Sequence, residues 1–122
     1  MSDNELTFNE KYRRRTKAFA IRIVLFYSNH CKKSEELRVI GKQLLRSGTS
    51  VAANFRAATR GRSNAENYAK MCIVVEEADE TVFWFELLEE TKLLDFALFA
   101  EIKQEAEELM KIFAVTRKNM HK

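Results

Sequence analysis

The sequence predicts an all-α protein, an antiparallel up-and-down four-helix bundle that forms one domain over residues 1–122. Two observations support this prediction. The chain contains no proline and only three glycines, so it offers few of the tight turns that β-hairpins need. Apolar side chains recur every three or four residues through most of the chain, which is the helical period.

The first two helices are predicted from apolar stripes separated by a polar stretch. Helix one covers about residues 9–30, and its stripe comprises Tyr12, Phe19, Ile23, Phe26 and Tyr27. Helix two covers about residues 36–60, with apolar or small side chains at Leu37, Ile40, Gly41, Leu44, Gly48, Val51, Phe55 and Ala58. We expect Phe8 and the residues before it to form a frayed tail.

Helices two and three are predicted to be antiparallel neighbours because the segment between them is short. Gly61 can adopt a left-handed conformation at a helix C-terminus, and Ser63 with Glu66 fits a capping box. Helix three then covers about residues 64–93, with Asp95 as a candidate cap for helix four over about residues 97–118. Four helices with short connections are typical of an up-and-down bundle.

Composition argues against a membrane-spanning protein and against a secreted one. No stretch approaches the roughly 20 apolar residues of a membrane span, and the N-terminus lacks the apolar core of a signal peptide. We therefore expect a cytoplasmic protein with no membrane association, in which Cys31 and Cys72 remain free thiols.

Charge is distributed unevenly along the chain. Residues 1–70 contain 15 Lys and Arg against 6 Asp and Glu, whereas residues 71–122 contain 6 against 12. Net charges of +9 and −6 result, although the whole chain carries only +3. Such a separation indicates either a basic face for an acidic partner or complementary faces that meet between copies.

Residues 46–63, RSGTSVAANFRAATRGRS, carry closely spaced small residues, but they match no phosphate-binding or nucleophile motif. The Walker A pattern needs a Lys after its second glycine, and the G-x-S-x-G pattern needs a second glycine that is absent here. Small side chains at these positions instead predict close packing of helix two against its neighbours.

No catalytic residue, metal ligand or cofactor is predicted. The carboxylates of helix three suggest a di-iron bundle, but that site needs inward-facing Glu-x-x-His pairs. His30 and His121 are the only histidines, and both lie at predicted helix ends. We therefore expect a protein that is not an enzyme.

Clustered arginines are the main candidate binding residues, because such clusters are typical of phosphate contacts. A solvated surface, or salt bridges to acidic residues of helix three, is the structural alternative. The candidate nucleic-acid contacts are Arg13, Arg14, Arg15, Arg56, Arg60 and Arg62.

Asn54 lies beside the apolar stripe of helix two, where an unpaired amide would be costly. We expect it to form a buried polar contact that fixes the helix register, with Glu76, Glu77 or Asp79 as acceptors. In the alternative in which the charges meet between copies, the subunit contacts are Asn54, Glu76, Asp79 and Glu80.

Residues 47–88 resemble a family of small bacterial four-helix bundles named for proteins encoded in intervening sequences of 23S ribosomal RNA genes. Its S-[IV]-x-x-N-[IFY] pattern is matched by Ser50, Val51, Asn54 and Phe55. Its arginine- and serine-containing turn is matched by residues 60–63, and its E-E-A-D-E-[ST]-x-[FY]-W-x-E-L-L segment by residues 76–88. The chain resembles the branch of the family without proline after S-[IV], since Ala52 stands there.

This resemblance implies an antiparallel four-helix bundle that assembles as a homopentamer, with no catalytic residues. It also implies a distant relationship to the accessory protein of diversity-generating retroelements, a basic pentamer that binds a reverse transcriptase and nucleic acid. Two hypotheses follow. The protein is a nucleic-acid-binding accessory protein for RNA or DNA, or it is an interaction scaffold whose arginines pair with the acidic residues of a neighbour or of another protein partner.

Overall fold

A computed structural model describes residues 6–120, which form four α-helices and no strand. They are α1 (Phe8–His30), α2 (Glu35–Ala58), α3 (Asn64–Thr91) and α4 (Ala100–Lys118), with a short 3-10 turn at Phe96–Leu98 before α4. The predicted all-α four-helix bundle is confirmed. Helix α2 ends two residues earlier than predicted, and α4 begins three residues later because the 3-10 turn occupies the predicted start.

Consecutive helices are neighbours and run in opposite directions. Helix α2 packs between α1 and α3, and α4 packs chiefly on α3 with a smaller contact to α1. The direction is visible in cross-helix pairs, because the start of α1 meets the end of α2 where Arg13 donates to Thr59 Oγ1. Likewise, Lys103 near the start of α4 pairs with Glu89 near the end of α3.

Side chains just before three of the helices fix where those helices begin. Thr7 and Glu10 form a capping box at α1, since each side chain bonds the backbone N–H of the other. Ser34 caps α2, and Ser63 accepts from the Glu66 N–H at α3, which is one of the two hydrogen bonds of the predicted capping box. Asp95 caps the 3-10 turn rather than α4.

Two predictions about chain ends and turns are wrong. Phe8 is the first residue of α1 and not part of a frayed tail, because its ring packs on Tyr12 and Phe55. Residues 1–5 of the predicted tail lie outside the described residues, as does His121. Gly61 does not adopt the left-handed conformation, which instead occurs at Lys92 after α3 (φ 57°).

Stacked phenylalanines fill the centre of the bundle. Phe55 of α2 stacks on Phe113 of α4 with ring centroids 4.9 Å apart, and Phe85 of α3 stacks on Phe99 at 5.7 Å. All four rings are fully buried. Aromatic side chains bury large apolar areas, so these pairs join elements distant in sequence into one core.

Thr16, Ser47 and Thr81 are the buried polar side chains among residues 6–120, and each is hydrogen-bonded, whereas the partly buried Asn67 keeps its Oδ1 out of solvent without a partner. Ser47 and Thr81 are completely buried, and the Thr81 hydroxyl lies 2.9 Å from Ser47 Oγ across the α2–α3 interface. Burial also raises the pKa of the Cys31 thiol to about 11. The neutral form of this thiol is therefore favoured at physiological pH.

Two glycines allow α1 and α2 to approach closely. A β-carbon at Gly41 would lie 2.5 Å from Cys31 Cβ and 2.8 Å from the Tyr27 ring, and one at Gly48 would lie 2.9 Å from the Ile23 side chain. The close packing predicted for the small residues of α2 therefore occurs at these positions. None of the helices in residues 6–120 combines the length and apolar character needed to cross a lipid bilayer.

The Gly41→Ala variant is expected to be less stable than the wild type, although alanine normally favours a helix over glycine. The added methyl group would overlap Cys31 Cβ, and overpacking of this kind costs about 1–3 kcal/mol. Urea denaturation measures the difference. The control is Ala53→Gly at an exposed position of α2, where we expect the ordinary loss of about 1 kcal/mol. A Gly41→Ala protein more stable than wild type would contradict the packing argument.

Candidate nucleic-acid interface

A basic groove lies between the N-terminal half of α1 and the C-terminal half of α2. Its volume is about 440 Å³. Three small or short side chains of α2, Thr49, Ala52 and Ala53, form what we call the floor of the groove. Every other residue that lines the groove is cationic. The residues that line it are Arg13, Arg14, Lys17, Thr49, Ala52, Ala53, Arg56 and Arg60.

The cations of this groove have no acidic partner among residues 6–120. Arg13 makes a hydrogen bond of 3.0 Å, but its acceptor is the uncharged Thr59 hydroxyl. Arg14, Lys17, Arg56 and Arg60 are exposed and make no side-chain hydrogen bond or ion pair with the described residues. An anion entering the groove would therefore meet five positive charges, none of which is ion-paired with a carboxylate of residues 6–120.

Helix geometry explains why these residues converge. Lys17 lies three and four positions after Arg14 and Arg13, so it shares a side of α1 with each of these two adjacent arginines. Arg56 lies in the last turn of α2, and Arg60 follows four positions later in the turn after that helix. Lys17 was not among the predicted contacts, although its spacing from Arg13 and Arg14 was a signal that could have identified it.

Two small residues of α2 line the groove, although they were predicted to pack between helices. Sequence analysis attributed Ala52 and Ala53 to close helix packing, but Ala53 is exposed and Ala52 is only half-buried. They line the groove rather than an interface between helices. The small-residue segment of α2 therefore packs on α1 at Gly48 and leaves open space one turn later.

Arg15 does not belong to the groove, which corrects its prediction as a phosphate contact. Its guanidinium donates two hydrogen bonds to Glu105 of α4, at 2.8 and 2.6 Å, and approaches Glu108 at 3.3 Å. The hydrogen bond to Glu105 is the main cause that raises the pKa of Arg15. Arg15 therefore joins α1 to α4 and is not available to a ligand.

Arg62 also lies apart from the groove lining. It is exposed in the connection between α2 and α3, and it makes no ion pair among the described residues. Of the six arginines predicted as phosphate contacts, the structure brings together Arg13, Arg14, Arg56 and Arg60.

Arg46, in contrast, is held by acidic residues of its own chain. It pairs with Glu77 at 2.9 Å and with Glu80, both on α3. Glu80 also accepts a hydrogen bond of 3.1 Å from the Trp84 indole N–H. Glu80 is therefore engaged within the chain, whereas it was predicted as a subunit contact.

Asn54 does not form the predicted buried contact with α3. Its side chain is half-buried, and its amide donates to Ser50 O at 3.0 Å and to Ser50 Oγ at 2.8 Å, one turn earlier on α2. The prediction of a carboxylate acceptor on α3 is therefore wrong. A side-chain bond to residue i−4 satisfies the amide locally and fixes no register between helices.

The outer face of α3 carries the two remaining predicted acidic residues. Glu76 and Asp79 are both exposed and have no partner among residues 6–120. Phe83, one turn further on, is 49% exposed, and its ring meets the Trp84 ring edge to face with centroids 5.0 Å apart. We refer to Glu76, Asp79 and Phe83 as the α3 outer face.

The described part of the chain offers no cluster suited to a metal ion. Within residues 6–120, no three His, Cys, Asp or Glu side chains are grouped so that they could coordinate one. The groove is lined by cationic, hydroxyl and methyl groups. Its chemistry suits binding of an anion.

The chain is similar to known proteins over most of its length. The model of a family described as 23S rRNA-intervening sequence protein matches residues 9–114. A solved structure of a protein of unknown function from the S23 ribosomal protein family of Bacteroides thetaiotaomicron VPI-5482 is 33% identical in sequence. The similarity covers 91% of this chain and 98% of that one, with a TM-score of 0.78. No functionally curated protein is significantly similar.

Two neighbouring arginines of α1 are expected to differ in their effect on stability. Arg15→Gln removes a paired, half-buried guanidinium and should lower the free energy of unfolding by about 1–2 kcal/mol. Arg14→Gln removes an exposed group with no described partner and should change stability by less than about 0.5 kcal/mol. Urea denaturation of both variants provides the measurement. Equal losses would contradict the assignment of Arg15 to structure and Arg14 to a ligand.

Proposed function

The chain belongs to the 23S rRNA-intervening sequence protein family, and from that premise we propose that it is a non-enzymatic protein that binds nucleic acid through the basic groove. Neither the description of the family nor the name of the structural neighbour specifies a ligand. The proposal therefore depends on the groove. The observation that carries it is the convergence of five cations from two helices with no acidic partner among residues 6–120.

Phosphate is the ligand chemistry that this arrangement favours. Guanidinium groups offer several donors in a planar fork and bind phosphate oxygens with two hydrogen bonds. A single small anion would contact only part of two rows of cations, whereas a polyanion can contact both rows. Release of the counterions condensed on nucleic acid adds a favourable term for each phosphate that is neutralised.

Four acidic side chains of α3 and α4 are occupied away from this groove. Glu105 and Glu108 are on the α4 side of α1, where Arg15 occupies them, and Glu77 and Glu80 are occupied by Arg46. These ion pairs prevent those four carboxylates from neutralising the groove, whereas Glu10 of α1 lines a separate pocket together with Arg13 and Arg14. We place this role in the cytoplasm, where the free thiols of Cys31 and Cys72 would stay reduced.

Replacing Arg14, Arg56 and Arg60 together by Gln should weaken binding to structured RNA and to duplex DNA. We expect a loss of at least about tenfold near 100 mM salt, and a slope of log affinity against log salt that is shallower by about 3. Fluorescence anisotropy over a salt series measures both quantities.

A matched control removes three cations that do not line the groove, as Arg22→Gln, Arg38→Gln and Lys111→Gln. This variant has the same net charge and should retain most of the wild-type affinity. Equal losses in the two triple variants would mean that binding depends on net charge alone and would refute the groove as the site.

Self-association is a second candidate function, and the α3 outer face favours it. This face combines two unpaired carboxylates with an exposed aromatic ring, and it is acidic where the groove is basic. Contact between this face and the groove of the next copy would be head-to-tail, which generates a closed ring when the rotation between copies allows it. The homopentamer implied by the family resemblance is a ring of this kind. A different protein with an acidic surface could occupy the groove in the same way.

Reversing two charges on the α3 outer face, as Glu76→Lys with Asp79→Lys, should dissociate such an oligomer at micromolar concentration. Like charges would then face each other across the contact. Sedimentation equilibrium gives the mass of the assembly. The control, Glu36→Lys with Glu108→Lys, makes the same change in net charge on other helices. An intact assembly in the α3 variant would exclude this contact.

A further inference from the structure

The side chains that line the groove indicate whether it binds double-stranded or single-stranded nucleic acid. Resting on the proposed function, we infer that the groove binds the phosphate backbone of double-stranded nucleic acid, and that it makes no specific contact with base edges or with unpaired bases. The inference follows from which chemical groups line the groove, from where the exposed aromatic rings lie, and from the spacing of the cations.

No aromatic side chain lines the groove. Proteins that bind single strands without sequence preference gain about 1–3 kcal/mol per base by stacking bases on aromatic rings. The exposed aromatic rings of residues 6–120 lie elsewhere, and each packs on another ring. Phe8 contacts Tyr12, Phe83 contacts Trp84, and Phe96 contacts Phe99. A single strand in the groove would therefore gain electrostatic energy without the stacking term.

The floor of the groove offers no free hydrogen-bond donor that could select a base. Ala52 and Ala53 have only methyl groups, and the Thr49 hydroxyl already donates to Leu45 O at 2.6 Å. Asn and Gln, which recognise adenine by paired hydrogen bonds, are absent from the lining. Asn54, on the same helix, directs its amide to Ser50.

The spacing of the cations fits a continuous backbone. Arg13 and Lys17 lie four residues apart on α1 and extend about 6 Å along that helix, while Arg56 near the end of α2 and Arg60 in the turn after it form the second row. One strand of a duplex advances about 3.4 Å per phosphate, so the α1 row spans about two phosphates. A duplex carries twice as many phosphates per unit length as one strand, which increases both the attraction and the release of counterions.

The test measures the affinity of the full chain for four kinds of fluorescent probe of equal length. They are duplexes of about 20 base pairs, as DNA and as RNA, each in two unrelated sequences, and the corresponding single strands. At 100 mM salt we expect the affinity for a bound duplex to be at least about fivefold higher than the affinity for either of its separate strands. The two sequences should differ by less than about threefold.

A pair of alanine variants tests whether the backbone crosses the floor between the two rows of cations. Ala53→Glu places a carboxylate there and should weaken duplex binding by about tenfold or more, because it repels phosphate. Ala69→Glu adds the same charge at an exposed position of α3 and should change the affinity by less than about twofold. Circular dichroism checks that both variants fold.

The outcomes separate this inference from the proposed function on which it rests. Single strands that bind as tightly as duplexes, or one duplex sequence favoured more than about tenfold, would overturn the inference and leave nucleic-acid binding in place. Equal effects of the two alanine variants would overturn the placement of the backbone on the floor. Failure of every probe to bind at 50 mM salt would overturn both proposals.

Discussion

The close pairing of α1 with α2 is the constraint on which the rest of this protein depends. Gly41 and Gly48 leave room for Cys31, Tyr27 and Ile23, so the two helices approach at a distance that larger residues would prevent. The same pairing brings the cations of α1 opposite those of α2 and concentrates like charges in the groove. That concentration opposes folding, and it is tolerated because the apolar core holds the helices together. Binding of an anion would relieve the repulsion.

Ion pairs within the chain determine which cations remain for a ligand. The second half of the chain is acidic, and its carboxylates could in principle have neutralised the basic first half. Instead they pair with particular partners: Glu105 with Arg15, Glu77 and Glu80 with Arg46, and Glu89 with Lys103. These pairs connect α4 to α1, α2 to α3, and α3 to α4. The groove lies between α1 and α2, where none of the ion pairs between helices is found among residues 6–120. The excess of positive charge in the first half of the sequence therefore remains uncompensated at the groove.

The two proposed functions use the same groove, so they exclude each other wherever a neighbouring copy occupies it. The α3 outer face lies on a helix that contacts α2 and α4, away from the groove on the α1 side of α2. If both proposals hold, a copy would offer its acidic face to one neighbour while its own groove would accept either a phosphate backbone or another copy. Nucleic acid and self-association would then compete for the groove. This competition would connect the assembly state of the protein to the presence of its ligand.

Periodicity and charge were sufficient to predict the fold class, the approximate helix bounds and most residues of the core, because burial of an apolar stripe is a local property of a helix. They also identified Arg13, Arg14, Arg56 and Arg60 as candidates, since a cluster of cations is visible in the sequence. They could not distinguish Arg14 from Arg15, because adjacent positions on a helix point about 100° apart and only tertiary packing decides which one meets Glu105. The groove floor at Ala52 and Ala53 and the local bond of Asn54 to Ser50 also depended on which neighbour each face of α2 meets. The sequence by itself determined which faces are apolar and which residues are charged. The tertiary structure decided which charges neutralise each other and which remain unpaired, because that depends on distances between helices.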